Sequence, residues 1–130
     1  MAELSEKQKM GLKVIDEMSG GHVSKLTMDV IDQGGFGAPL AKISLDLAFA
    51  DVWAREGMER KSRSLIVLGI LVGLRQWDEF RHHVRIGLNN GLTVSDIEEV
   101  LVTVIAYAGL PAASSALMNA RSILQELGKI

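Results

Sequence analysis

The 130-residue chain contains no cysteine. That absence removes disulfides, thiolate zinc and iron–sulfur sites, and every cysteine nucleophile. Aromatic residues are scarce, with three Phe, two Trp and one Tyr, too few to build a stacking platform for bases. Neither sign of charge dominates, because 14 basic and 16 acidic side chains are interspersed for a net charge of −2. With no basic stripe, nucleic acid is not an expected partner. The opening MAELSEKQKMGLKVIDEM lacks the apolar core of a signal peptide. The longest apolar run, LIVLGILVGL at residues 65–74, has ten residues, about half of a membrane span. A cytoplasmic protein with no membrane partner is the expectation.

Hydrophobic residues make up 48% and charged residues 23%, the balance of an ordinary globular protein, and the length suits a single domain over residues 1–130. The pattern is helical throughout, with no alternating strand signal. Ser5-Glu-Lys-Gln8 forms a capping-box sequence, so a first helix should run to about Ser19 and stop at Gly20-Gly21. A second follows over residues 23–32, ended by Gly34-Gly-Phe-Gly37. Pro39 suits the first turn of a third helix, on which Leu40, Ile43, Leu47, Ala50 and Trp53 should form one apolar face. A fourth starts near Glu59 and carries the apolar run. A fifth spans residues 76–90, and Thr93-Val-Ser-Asp96 caps a sixth. Gly109-Leu-Pro111 separates it from a seventh, with an apolar stripe of Ala113, Ala116, Leu117, Ala120, Leu124 and Leu127. The expected fold is all-α, a compact bundle of six or seven helices. A ten-residue helix without a polar face must be covered on every side, and a domain this small has little interior for it. Partner subunits are the expected cover, making a homo-oligomer.

Two of the three histidines are adjacent in QWDEFRHHVRIGLNNG, residues 76–91. Successive helical residues are about 100° apart, so the two imidazoles point differently. His82 falls with Asp78, Arg81, Arg85 and Asn89 on the charged side. His83 falls between Phe80 and Ile86, with Glu79 four residues ahead and within side-chain reach. Such a carboxylate favours the protonated imidazole, which makes Glu79 and His83 either an acid–base pair or a structural ion pair. Glu79-Phe-Arg-His82 also has the Glu-x-x-His spacing of di-iron bundles, but the chain holds no second copy, so no metal is expected. Arg55, Arg63 and Arg85 are candidates for binding an anionic substrate, since a guanidinium fork suits carboxylates. Arg60 and Lys61 read as a solvated turn. Trp53 and Tyr107 could line a pocket or pack in the core.

Several of these residues recur in one familiar order: Arg55-Glu-Gly-Met, Arg63-Ser-Leu, Glu79-x-x-x-His83-Val-Arg85-x-x-Leu-Asn-Asn-Gly91, Asp96-Ile-x-Glu-Val100 and Tyr107-Ala-Gly-Leu-Pro-Ala-Ala113. Together they resemble the carboxymuconolactone decarboxylase family, specifically over residues 51–120 and more loosely upstream. The resemblance implies an all-helical fold, trimers or hexamers with sites near subunit interfaces, and no cofactor. The peroxidase-related branch carries Cys-x-x-Cys four residues before the family histidine. Gln76 and Glu79 stand there in this chain, which excludes thiol peroxidase and disulfide reductase chemistry. The other branch decarboxylates 4-carboxymuconolactone in aromatic catabolism. It implies a catalytic His83 oriented by Glu79, in proton transfer or oxyanion stabilisation, with the arginines on a small anionic lactone or carboxylate. The relatives carry Phe-Asn, Phe-Gln and an aromatic-Trp-Gly segment upstream, where this chain has Gly35-Phe-Gly-Ala and Ala48-Phe-Ala-Asp-Val-Trp53. That departure implies a different pocket lining and leaves the substrate open. A non-catalytic oligomeric ligand-binding protein and a lactone isomerase or hydrolase are the alternatives on the same scaffold.

Overall fold

A computed structural model describes residues 2–130 and contains seven α-helices and one π-helical segment, with no strand among those residues. The chain divides into two compact units, one ending at Met58 and one running from Glu59 to Ile130.

The first unit holds α1 (Glu6–Ser19), α2 (His22–Gln33), α3 (Ala38–Ser44) and the π-helical segment Leu45–Trp53. The capping box forms as its sequence suggests. Ser5 Oγ accepts from the Gln8 amide at 3.1 Å, and Gln8 Oε1 accepts from the Ser5 amide at 3.0 Å. Gly20 ends α1 in the left-handed region at φ 65°, where glycine carries no steric penalty. Ile15, Ile31 and Leu45 form a small core. Gly11 lies directly on the Leu45 carbonyl, leaving no room for a Cβ.

The expected apolar face of the third helix does not form. α3 continues into π winding, where Ala54 N–H reaches back five residues to the Phe49 carbonyl at 2.9 Å. The inner side of α3 is instead Ala38 and Ala41, leading to Leu45, so Leu40 and Ile43 already face away from the core, and the π turns that follow take more residues than α turns and shift the spacing further. Leu40, Ile43 and Leu47 are exposed, while Leu45 and Trp53 are buried.

The second unit comprises α4 (Arg60–Leu74), α5 (Trp77–Asn89), α6 (Val94–Ala108) and α7 (Leu110–Glu126). Thr93 and Asp96 close a second capping box, Thr93 Oγ1 accepting from the Asp96 amide at 3.0 Å. Asn90 ends α5 and Gly91 turns the chain at φ 101°. The core gathers Leu68 and Val72 from α4, Phe80 and Val84 from α5, Ile97 from α6 and an alanine-rich face of α7. Alanines at 112, 113, 116 and 120 let α7 approach closely, and Trp77 meets Phe80 edge to face at 6.1 Å. Leu117, expected in the α7 stripe, is exposed instead.

The apolar run of α4 is not enclosed by its own chain. Leu68 and Val72 are wholly buried, but Ile66, Ile70 and Leu74 expose 48%, 53% and 64% of their surface. These three are spaced by four and form one stripe along the helix.

Candidate active site

α5 is the helix on which ionisable and apolar residues are most sharply sorted. Phe80, Val84, Ile86 and Gly87 are buried, while Asp78, Glu79, His82 and Asn89 are exposed. His83 lies between these sets, partly buried, with its Nδ1 shut off from solvent. Burial lowers its pKa below the ordinary 6.5, because a desolvated imidazolium loses hydration. Glu79 acts in the opposite direction, and the neighbouring His82 lowers the value further. Glu79 does favour the protonated form, as expected, and burial opposes it more strongly, so His83 rests neutral near pH 7.

α4 packs against α5, and the close approach is made at Gly87. A Cβ built there would lie 3.8 Å from Ser64 Cβ and 2.7 Å from Leu92 Cδ1. Ser64 is wholly buried, and its Oγ accepts a hydrogen bond from Asn90 Nδ2 at 2.9 Å. Arg63, the residue before it, is half-buried, and its Nε is enclosed without a hydrogen-bond partner among the described residues. An enclosed guanidinium nitrogen without an acceptor is an unmet demand for an anion. Arg63 and His83 thus stand on two helices that pack against each other.

The remaining candidates are placed otherwise. Arg85 lies two residues from His83, on nearly the opposite side of α5. It stands 3.7 Å from the Glu126 carboxylate on α7, which also lies 3.9 Å from Arg81. Tyr107 is 93% exposed near the end of α6, so it lines no enclosed space within a single chain. Trp53 is buried and Arg55 exposed, both at the end of the first unit. Lys61 lies 3.7 Å from Asp96 in the α6 cap. Nothing in the residue pattern alone singled out Ser64. The signal lay in a serine beside the candidate Arg63 and in Asn90 of the Asn-Asn-Gly turn.

Three grooves on the surface suit a small organic anion poorly. The groove between α4 and α6, about 270 Å³, places Asp96 and Glu99 at its mouth. The groove of similar size between α6 and α7 is apolar, with Glu98 on its edge. A larger groove between α1 and α2, about 470 Å³, has Lys9, Lys13 and Lys25 on its rim. Two of these lysines are already 2.9 Å from Glu6 and Asp29. Among the described residues no three His, Asp or Glu side chains gather as metal ligands, and no helix is long and apolar enough to cross a membrane.

Comparison with known proteins identifies the family. The model of the carboxymuconolactone decarboxylase family matches residues 38–121. A 4-carboxymuconolactone decarboxylase from Acinetobacter baylyi is 33% identical over 124 residues, covering 95% of this chain and 90% of that protein. A nitrosuccinic acid decarboxylase from Metarhizium robertsii is 32% identical over 92 residues, covering 71% of this chain and 64% of its own length. An uncharacterised 15.0 kDa protein from Paracoccus denitrificans is 32% identical over 84 residues, 63% of each chain. The matched span runs from the start of α3 through the α4–α5 seam to α7 and includes Arg63, Glu79, His83 and Tyr107. With that span matched and one residue in three shared along almost the whole length of a relative, this chain belongs to the carboxymuconolactone decarboxylase family.

Proposed function

We propose that this protein is a decarboxylase of a small carboxylated acid, acting without a cofactor, with its reaction centre on the α4–α5 seam. The observation that carries the reading is the neutral, desolvated His83 on the helix packed against the one bearing Arg63, whose Nε lacks an acceptor. Family membership and two relatives named as decarboxylases support it. Those two names describe different substrates with one chemical need. Losing carbon dioxide from carboxymuconolactone leaves an electron pair delocalised into the lactone carbonyl. Losing it from the nitro-bearing carbon of nitrosuccinic acid leaves a nitronate. In both, the carbon–carbon bond breaks, the pair moves onto oxygen, and a proton later returns to carbon.

His83 suits the oxyanion better than the proton. A neutral imidazole offers one N–H to the developing charge, and a preorganised donor in a dry site is effective there. Arg63 holds the carboxylate that is not lost. Glu79 partly offsets the desolvation of His83 and restrains its ring. Tyr107, exposed near the end of α6, adds to the substrate-binding surface in the assembled protein. That assembly is a homo-oligomer, with Ile66, Ile70 and Leu74 on α4 as one buried face, since a soluble chain seldom leaves such a stripe in water.

The test is carbon dioxide release from carboxymuconolactone and from nitrosuccinate, by the wild type and by His83→Ala. Stoichiometric release by the wild type is expected, with a loss of about 100-fold or more in the variant. Full activity in His83→Ala removes the histidine from the mechanism. Release from neither substrate, nor from other carboxylated lactones, overturns the reading and favours a ligand-binding protein.

A further inference from the structure

Ser64 and Asn90 form a polar contact inside an otherwise apolar seam. Among the described residues Ser64 is one of two buried polar side chains, the other being Ser24. A hydroxyl costs free energy to bury unless it is bonded, and serine is a poorer helix former than alanine. An apolar seam needs neither residue for stability. A hydrogen bond adds direction, which apolar contact lacks. This one joins the second turn of α4 to the residue that ends α5, where the backbone has left helical geometry at φ −83°, ψ 3°.

The helical register connects this contact to the candidate site. Asn90 lies seven residues beyond His83, which brings the two within about 20° on the helix surface. Gly87 lies between them, about 40° from His83, and is the point where α5 comes against Ser64. On α4, Ser64 directly follows Arg63. One hydrogen bond and one glycine thus define both the register and the depth of the seam that carries the guanidinium and the imidazole.

We propose that Ser64 and Asn90 are positioning residues, whose hydrogen bond holds Arg63 on α4 and His83 on α5 in the relation that an anionic substrate requires. The inference rests on the functional assignment of Arg63 and His83, but its first test does not need turnover. The charged groups acting on His83 are Glu79 and His82 on its own helix, while Arg85 faces Glu126 of α7. If the seam loosens, water reaches the imidazole, and its titration moves back toward that of an ordinary histidine.

Histidine titration by NMR on the substrate-free full chain follows His22, His82 and His83 separately. In Ser64→Ala and in Asn90→Ala, the His83 midpoint is expected to rise by about half a pH unit or more, with His22 unchanged. kcat for the decarboxylated substrate is expected to fall about 10-fold or more, with a smaller change in KM. The double variant Ser64→Ala/Asn90→Ala leaves no polar group orphaned. It serves if a single variant does not fold, and its effects should match those of one substitution rather than their sum. Folded variants with altered Tm but unchanged His83 midpoint and kcat reduce the pair to a stabilising clamp and overturn the proposal. If the wild type decarboxylates nothing, the functional reading has failed, and the His83 titration still decides the role of the pair.

Discussion

Replacing Gly87 by alanine measures how closely α4 and α5 are held. The new methyl would meet Leu92 Cδ1 at 2.7 Å, whereas ordinary contact begins at 3.4 Å. Something must therefore yield by about 0.7 Å, the difference between those distances. Leu92 is 4% exposed and sits in the core of the second unit, so no free volume lies behind it. Overpacking of this kind costs about 1–3 kcal/mol, while alanine in place of glycine returns at most about 1 kcal/mol in a helix. A net loss of about 1 kcal/mol is expected, or about 3–5 °C in Tm at this chain length. Leu92→Val removes the clashing methyl and alone costs about 1 kcal/mol. In Gly87→Ala/Leu92→Val the clash is gone and the helical gain remains. The double variant should then be more stable than the summed single losses by about 1 kcal/mol or more. Urea and thermal denaturation of the four proteins supply the cycle. Additive losses would refute the close approach at Gly87. Activity adds an independent readout, because the displaced helix carries His83 one turn away and a 1 Å misplacement can cost about 100-fold in rate.

His83→Gln tests the desolvation of the imidazole through stability. The folded-state pKa is lowered, so the unfolded chain takes up a proton first as pH falls. The wild type should lose stability from about pH 6.5 downward until the lowered folded value is reached, with no contribution above that window. The glutamine variant lacks this slope, and identical urea midpoints for both proteins between pH 5 and 8 would remove the burial argument. Ile70→Glu tests the α4 stripe. At 53% exposure the substitution changes a lone chain by about 0.5 kcal/mol or less, but it places a charge inside any interface built on Ile66 and Leu74. Light scattering should show a smaller particle, and unchanged mass together with unchanged Tm excludes this face from the assembly.

The helices were legible where their ends carry chemistry. Both capping boxes, at Ser5 and at Thr93, lie in the sequence as residue pairs three apart and form in the structure. The stop signals at Gly20, Gly91 and Gly109 coincide with positive φ. What failed was the face chosen for the third helix, wrong already at Leu40 and Ile43 and displaced further beyond Ser44. A π-helical segment arises from tertiary packing, and no residue between Leu45 and Trp53 marks it as a proline or glycine would mark a kink. The run at residues 65–74 was read as more than its own chain could cover, and Ile66, Ile70 and Leu74 are exposed, but which positions stay uncovered was not legible. Composition says that it is apolar on all faces, but only packing shows that Leu68 and Val72 are enclosed by their own chain while Ile66 and Ile70 are not. At the site, spacing separated His82 from His83 correctly, since that depends on helix geometry alone. Spacing could not weigh Glu79 against desolvation, because burial is a property of the neighbouring helix.

The resting charge of His83 bears on how one scaffold can serve different acids. A permanently protonated imidazole would bind any anion strongly in the ground state, and equal binding of ground and transition states does not raise kcat. A neutral imidazole in a dry seam contributes little to holding the substrate carboxylates, which falls to arginine. Its N–H gains most when charge leaves the departing carboxyl and collects on a carbonyl or nitro oxygen. In the proposed mechanism Glu79 favours the protonated imidazole and burial, the larger effect, the neutral one. A machine of this kind asks of its substrate only an oxygen sink beside the carboxyl that leaves. What distinguishes one acid from another must then come from residues outside the α4–α5 seam. The departures at Gly35-Phe-Gly-Ala and Ala48-Phe-Ala-Asp lie outside it, which is why substrate identity should be sought by varying those segments while leaving Arg63 and His83 in place.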